Sequence, residues 1–242
     1  MYSNTFTDQE SFLNPGIFIM LIAVLLAGWQ GSVWASHPSG EPTTHSAPPG
    51  NSPPQPVLPL PGINASADEV VTALEQALLH VMQMQDADTA ARAAVLQPIL
   101  HRTFDFQRMS RFIFGPRWND FSAAQQNEFM RALLQLSCAS YAANFDNYNQ
   151  ERFTAADVAE TRPDPNGDRV RINRHLITNK QSIVFNYALT RTDKGWQIAN
   201  ILAKGVSDLA LKRSQYSKLY DNGGVAAVLD HIASQTERLY TS

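Results

Sequence analysis

Apolar positions first fall into a helical rhythm at Val70, followed by Leu74, Ala77, Leu78, Val81 and Met82 on one side. Ser66-Ala67-Asp68-Glu69 stands just ahead, with Ser at the N-cap and Glu three residues on, the reciprocal capping box that opens a helix. A second helical stretch covers residues 89–100, where Pro98 predicts a kink or break because it lacks an amide proton. A third, residues 106–114, stops at Gly115-Pro116, a glycine cap followed by a residue that cannot continue a helix. Ser122 with Gln125 repeats the capping box. It opens a long helix to about Phe145, with Phe129, Leu133, Leu136, Ser140 and Ala143 along one side.

After Tyr148 the period changes. Residues 153–161 predict a strand, and Pro163-Asp164-Pro165-Asn166-Gly167-Asp168 a turn. Residues 169–177 alternate, with Val170 and Ile172 on one face and Arg169 and Arg171 on the other. Residues 182–190 alternate most clearly: Ile183, Phe185, Tyr187 and Leu189 share one face, and Val184, Asn186, Ala188 and Thr190 the other. Thr192-Asp193-Lys194-Gly195 predicts the hairpin into a strand over residues 196–204. Ser207 then caps a helix over residues 208–220, Asn222-Gly223-Gly224 ends it, and residues 225–240 predict a last amphipathic helix. Helices, a strand meander, then helices define an α+β fold. The expected architecture packs helices on one face of a twisted, mostly antiparallel sheet of about four to five strands, with an apolar cavity between the layers.

The ends of the pattern differ from its middle. Residues 17–29 form an apolar run of 13, roughly 20 Å as a helix against the ~30 Å hydrocarbon core. Val33-Trp34-Ala35 fits a signal-peptidase site, so residues 1–35 are expected to be an export signal. The signal lacks the usual Lys or Arg ahead of the run. An uncleaved anchor is the alternative, since Gln30 and Ser32 are the polar residues of 17–35. Residues 36–62 are dense in proline and predict an extended linker. His37 and His45 within it have no further ligand partners and are expected to be solvated. Residues 63–242 remain as one folded domain in the periplasm.

Charge and chemistry narrow the function. All 19 Lys and Arg lie after residue 35, with 20 of the 22 Asp and Glu, so the exported part is near neutral. That excludes nucleic acid as a partner, because phosphate binding needs a concentrated positive field. The single cysteine, Cys138, excludes an internal disulfide and is expected in the core. The chain has no nucleophile elbow, zincin motif or phosphate loop, and its histidines lack ligand spacing, so no metal, cofactor or catalysis is expected. One enzyme reading stays open: Asp105 or Asp146 with Tyr141 or Tyr187, an acid and a phenol in an apolar pocket. Against it, Asp105 is placed to cap the helix at Phe106.

What the chain does hold in excess is large apolar side chains. Phe104, Phe106, Met109, Phe112, Phe114 and Trp118 crowd into fifteen residues, and Phe129, Leu133, Tyr141 and Phe145 follow on the long helix. The strands add Val170, Ile172, Ile183, Phe185, Tyr187, Leu189, Trp196 and Ile198, and Val206 and Leu209 come just after them. Any of these can serve a plain core. An exported, neutral, non-catalytic domain also suits a lipid carrier, for which Phe104, Met109, Phe112, Trp118 and the residues after them, Phe106 and Phe114 aside, are the candidate tail contacts. Each buried CH₂ is worth ~0.8 kcal/mol, so a sixteen-carbon chain costs on the order of 12 kcal/mol to place in water. A pocket that replaces bilayer removes most of that barrier. Lys204, Lys212 and Arg213 form either a basic rim for anionic head groups or a solvated helix face.

From about Leu96 onward the order of landmarks resembles the MlaC, or toluene-tolerance, family of periplasmic phospholipid-binding proteins. The matching pieces are FDFQRMSRFIFGPRW (104–118), FSAAQQNEFMRALLQL (121–136), FNYALTRTDKGWQIANILAKGVSDLALKRSQY (185–216) and NGGVAAVLDHI (222–232). The segment YAANFDNYNQERF (141–153) is more similar to the hopanoid-biosynthesis-associated subgroup, HpnM. Asn200 stands where the family pattern has Asp. The resemblance implies a periplasmic carrier of phospholipid or hopanoid that exchanges cargo with an inner-membrane lipid transporter and an outer-membrane complex. A membrane-tethered interaction module, with residues 17–35 as the tether, is the third reading.

Overall fold

The computed structural model describes residues 58–155 and 167–241. The expected export segment, most of the linker, the end of the first predicted strand and most of the 163–168 turn lie outside the described residues. Among the described residues no helix is long and apolar enough to cross a membrane.

Local capping sets the helix starts. In α1 (Ala67–Gln83) the Ser66 hydroxyl accepts from Glu69 N at 3.2 Å, and Ser66 N donates to the Glu69 carboxylate at 2.6 Å. Asp88 caps α2 (Thr89–Thr103) through Ala91 N at 2.7 Å. Pro98 sits inside α2, which runs on to Thr103. Asp105 caps α3 (Phe106–Phe114), and a short 3-10 turn, Gly115–Asp120, follows. The second capping box holds at α4 (Ala123–Asn144), where Ser122 and Gln125 exchange bonds of 2.9 and 3.2 Å. The last helical stretch, α5 (Asp208–Thr241), is broken at Gly223 and Gly224, where the backbone leaves helical geometry. Its two arms match the two predicted helices.

Five strands form one antiparallel meander in the order of the chain: β1 (Arg152–Ala155), β2 (Arg169–Ile177), β3 (Ser182–Thr192), β4 (Gly195–Ala203) and β5 (Val206–Ser207). Register decides which residues share a face. Ile172 pairs with Tyr187 and Tyr187 with Ile201, while Arg174 pairs with Phe185 and Phe185 with Ala203. A bulge at Ala199 shifts the β3–β4 register between Ala188 and Leu189, so Ile198 faces Leu189 and Ile201 faces Tyr187. One extra residue exchanges the faces of the strand. Both isoleucines thereby sit over the same apolar face.

The helices cover that face. α1 lies against β2 and β4, α2 runs along α4, and α4 packs on α5. The α2–α3 junction closes the exposed edge of β4: Phe104 forms a parallel bridge with Ile198, and Asp105 N donates to Ile198 O at 3.0 Å. The buried Gln197 amide reinforces it by donating to Phe104 O at 3.1 Å. Covering an edge in this way denies it to other chains. The β3–β4 turn needs its glycine, since Gly195 has φ of +90° and a Cβ there would lie 2.3 Å from the Ile63 carbonyl oxygen.

Candidate functional site

The inner face of the sheet is largely apolar, broken on β2 by Arg174, which pairs with Phe185. Ile172, Ile183, Phe185, Tyr187, Leu189 and Ile198 are all buried on it. Opposite them Phe104 comes from the end of α2, and Tyr141 and Phe145 from the end of α4. Their rings are linked: Phe104 lies 5.8 Å from Phe106 and 6.2 Å from Tyr141, and Tyr141 lies 6.1 Å from Phe145. On the sheet Tyr187 stacks on Phe185 at 6.2 Å, and Phe153 meets Phe185 edge-on at 6.1 Å. Offset and edge contacts of this kind add to simple burial.

The other predicted tail contacts fall elsewhere. Trp118 and Phe129 belong to a second aromatic cluster between helices, where Phe114 lies 4.9 Å from Phe129 and Trp118 lies 5.9 Å from it. Phe121, Tyr216 and Tyr220 complete that cluster. Met109, Leu133 and Leu209 are buried, while Val170 and Trp196 are half-buried against the core. Phe112 and Val206 stand on the surface, 41 % and 40 % exposed. The helical stripe of α3 points Met109 and Ile113 inward and leaves Phe112 out, under the Arg213 guanidinium at 5.2 Å. Val206 sits at the tip of the β4–β5 hairpin, where the backbone turns at Lys204-Gly205. In this structure neither side chain touches the sheet–helix layer from within.

The proposed basic rim is partly neutralised. Lys212 bonds the Asp208 carboxylate, and the exposed Lys204 donates to Gln181 Oε1 at 2.8 Å. Arg213 donates to Phe112 O at 3.1 Å.

The acid candidates of the enzyme reading are placed otherwise than that reading needs. Asp105 accepts Arg108 N at 2.9 Å and its Nε at 3.3 Å, as a cap does. Asp146 is exposed. Burial, with the negative charge of Asp208 adding to it, raises the Tyr141 phenol above the ordinary tyrosine range. Cys138 is buried, and its thiol is pushed up to about 12 by that burial, so it is an unreactive core residue. Among the described residues no group of acidic, histidine or cysteine side chains is arranged to hold a metal.

A polar cluster that the sequence reading missed lies inside the apolar layer. Glu75 of α1 and Arg174 of β2 face each other, with Arg174 Nε 3.5 Å from Glu75 Oε2. Arg174 also binds the exposed Asp68 at the start of α1. The Tyr187 phenol faces the same carboxylate. Burial holds the Glu75 carboxyl up to about 7, against the opposing pull of Arg174. The signal was present: Arg174 follows Val170 and Ile172 in the two-residue alternation, and Glu75 stands in the stripe between Val71 and Leu78.

The helix-covered antiparallel meander places the protein in the α+β class, with its apolar sheet face turned toward the helices. The family model described as "MlaC protein" matches residues 68–234, and the chain belongs to the MlaC family. A solved structure titled as a phospholipid-binding protein from Ralstonia solanacearum, in complex with a phospholipid, shares the fold. It is 16 % identical, with a TM-score of 0.64, over 72 % of this chain and 99 % of its own. No curated protein matches the chain.

Proposed function

We propose that this protein is a periplasmic lipid carrier that shuttles phospholipid or hopanoid between the inner and outer membranes. The observation that carries the reading is the apolar stretch of β3 and β4, from Ile183 through Phe185 and Leu189 to Ile198, lidded by helices instead of a second sheet. A helix layer separates from a sheet at one end with little loss of backbone hydrogen bonding, so tails can enter between them. Membership of the MlaC family and the phospholipid held by the Ralstonia protein of the same fold support this. Residues 1–35 act as the export signal, 36–62 as a linker and 63–242 as the lipid-binding domain. An inner-membrane lipid transporter and an outer-membrane complex are the partners. The cargo contacts are Phe104, Tyr141, Phe145 and the inner sheet face. Catalysis is no part of this reading, which the role of Asp105 as a helix cap and the exposure of Asp146 support.

The test is solvent extraction of protein purified from a native-like host, followed by mass spectrometry. Near-stoichiometric lipid is expected. Protein that carries none, and takes none from vesicles, overturns the reading.

A further inference from the structure

One carboxylate in the apolar layer has more acceptor capacity than the fold uses. Glu75 is 6 % exposed, and its Oε1 has no partner within hydrogen-bond distance among the described residues, although the Tyr187 phenol faces the carboxylate. Arg174 faces only the other oxygen, and it is already held at the rim by Asp68. Burying an ionised carboxylate costs several kcal/mol, which its neighbours offset only when the remaining lone pairs are satisfied. A helix-to-sheet tie between α1 and β2 would be complete with Asp68 and Arg174. The elevation of Glu75 to about 7 reflects the same incomplete compensation.

The chemistry of the missing partner is constrained. Toward the ionised carboxylate the group must donate a hydrogen bond and toward the protonated form it must accept one, and plain acyl chains can do neither. An anion would be repelled by the carboxylate. A cation would lie beside the Arg174 guanidinium and would carry its own desolvation cost. A neutral hydroxyl meets all three conditions. Its apolar body would lie along Ile172, Phe185 and Leu189, which flank Tyr187 on the sheet.

On the carrier reading, we propose that Glu75 and Tyr187 form a polar socket for the hydroxyl of a lipid alcohol, the hydroxyl donating to Glu75 Oε1. The cargo is then distinguished by an oxygen buried among its apolar carbons, and not by its head group alone.

The test uses delipidated exported protein, residues 36–242, and phosphatidylcholine vesicles doped with one of three probes. These are a pentacyclic triterpene alcohol, its methyl ether and the corresponding hydrocarbon, with uptake read by mass spectrometry. Wild type is expected to load the alcohol about tenfold or more over the ether and the hydrocarbon, because a site built to accept a hydroxyl proton discriminates against analogues without it. Glu75→Leu, with folding checked by circular dichroism, is expected to bring the three within about twofold while hydrocarbon uptake holds. Equal loading of the three probes by wild type overturns the proposal without any variant. So does a preference that survives in Glu75→Leu. Uptake of phosphatidylcholine alone overturns the socket and leaves the carrier reading standing, whereas uptake of nothing removes both.

Discussion

Arg174 of the second strand lies 3.5 Å from the Glu75 carboxylate of the first helix, with the guanidinium 11 % exposed and the carboxylate 8 %. The pair crosses the boundary between the helix layer and the sheet. It ties stability to pH and to the integrity of the helix lid.

The pH dependence has a definite sign. The folded Glu75 carboxyl sits at about 7 and its ordinary value is 4.5, because burial outweighs Arg174 and Tyr187, with Asp68 adding repulsion. The folded state therefore binds the proton more tightly. Its contribution to stability is full below 4.5 and lost as pH rises through about 7, a change of about 3 kcal/mol. Urea midpoints of wild type and Glu75→Gln across this range should diverge by that order, with the variant relatively more stable above neutrality. Parallel curves would show that Glu75 does not titrate in the fold.

Removing Arg174 leaves a buried charge without its partner. Arg174→Met should cost about 3–5 kcal/mol at mildly alkaline pH. The double variant with Glu75→Met should recover much of this loss, since the uncompensated carboxylate is then gone. Denaturant unfolding of the four proteins in the cycle measures the coupling.

Gly195→Ala combines backbone strain with a clash. The residue has φ of +90°, and the new Cβ would lie 2.3 Å from Ile63 O. A loss of at least about 1–3 kcal/mol is expected, together with faster proteolysis ahead of α1.

Leu133 is wholly buried on α4. Leu133→Trp adds volume without polarity and should cost about 1–3 kcal/mol while lowering the lipid that co-purifies. A folded variant with normal lipid content would exclude the Leu133 side of the helix layer from the cargo space.

Export predicts a defined N-terminus. Sequencing of the protein recovered from the periplasm should begin at Ser36. Intact Met1 in the membrane fraction would instead support the uncleaved anchor.

The sequence by itself determined what depends on near neighbours. Both capping boxes, the glycine stop after Phe114, the break at Gly223-Gly224 and the alternation of residues 182–190 are contacts or conformations settled within a few positions. They appear in the structure where the pattern put them. Pro98 shows the limit of that logic. Its missing amide predicts a kink or break, yet α2 continues to Thr103, because packing along α4 outweighs one lost bond. Only the tertiary structure decided which apolar residues share a space. Trp118 and Phe129 went to the helical cluster and Phe112 and Val206 to the surface, a partition that hydrophobicity alone does not contain. The bulge at Ala199 likewise exchanged the faces of a strand whose composition reads the same either way. Glu75 and Arg174 are 99 positions apart and become a pair only when α1 settles on β2, because their interaction exists in space and not along the chain.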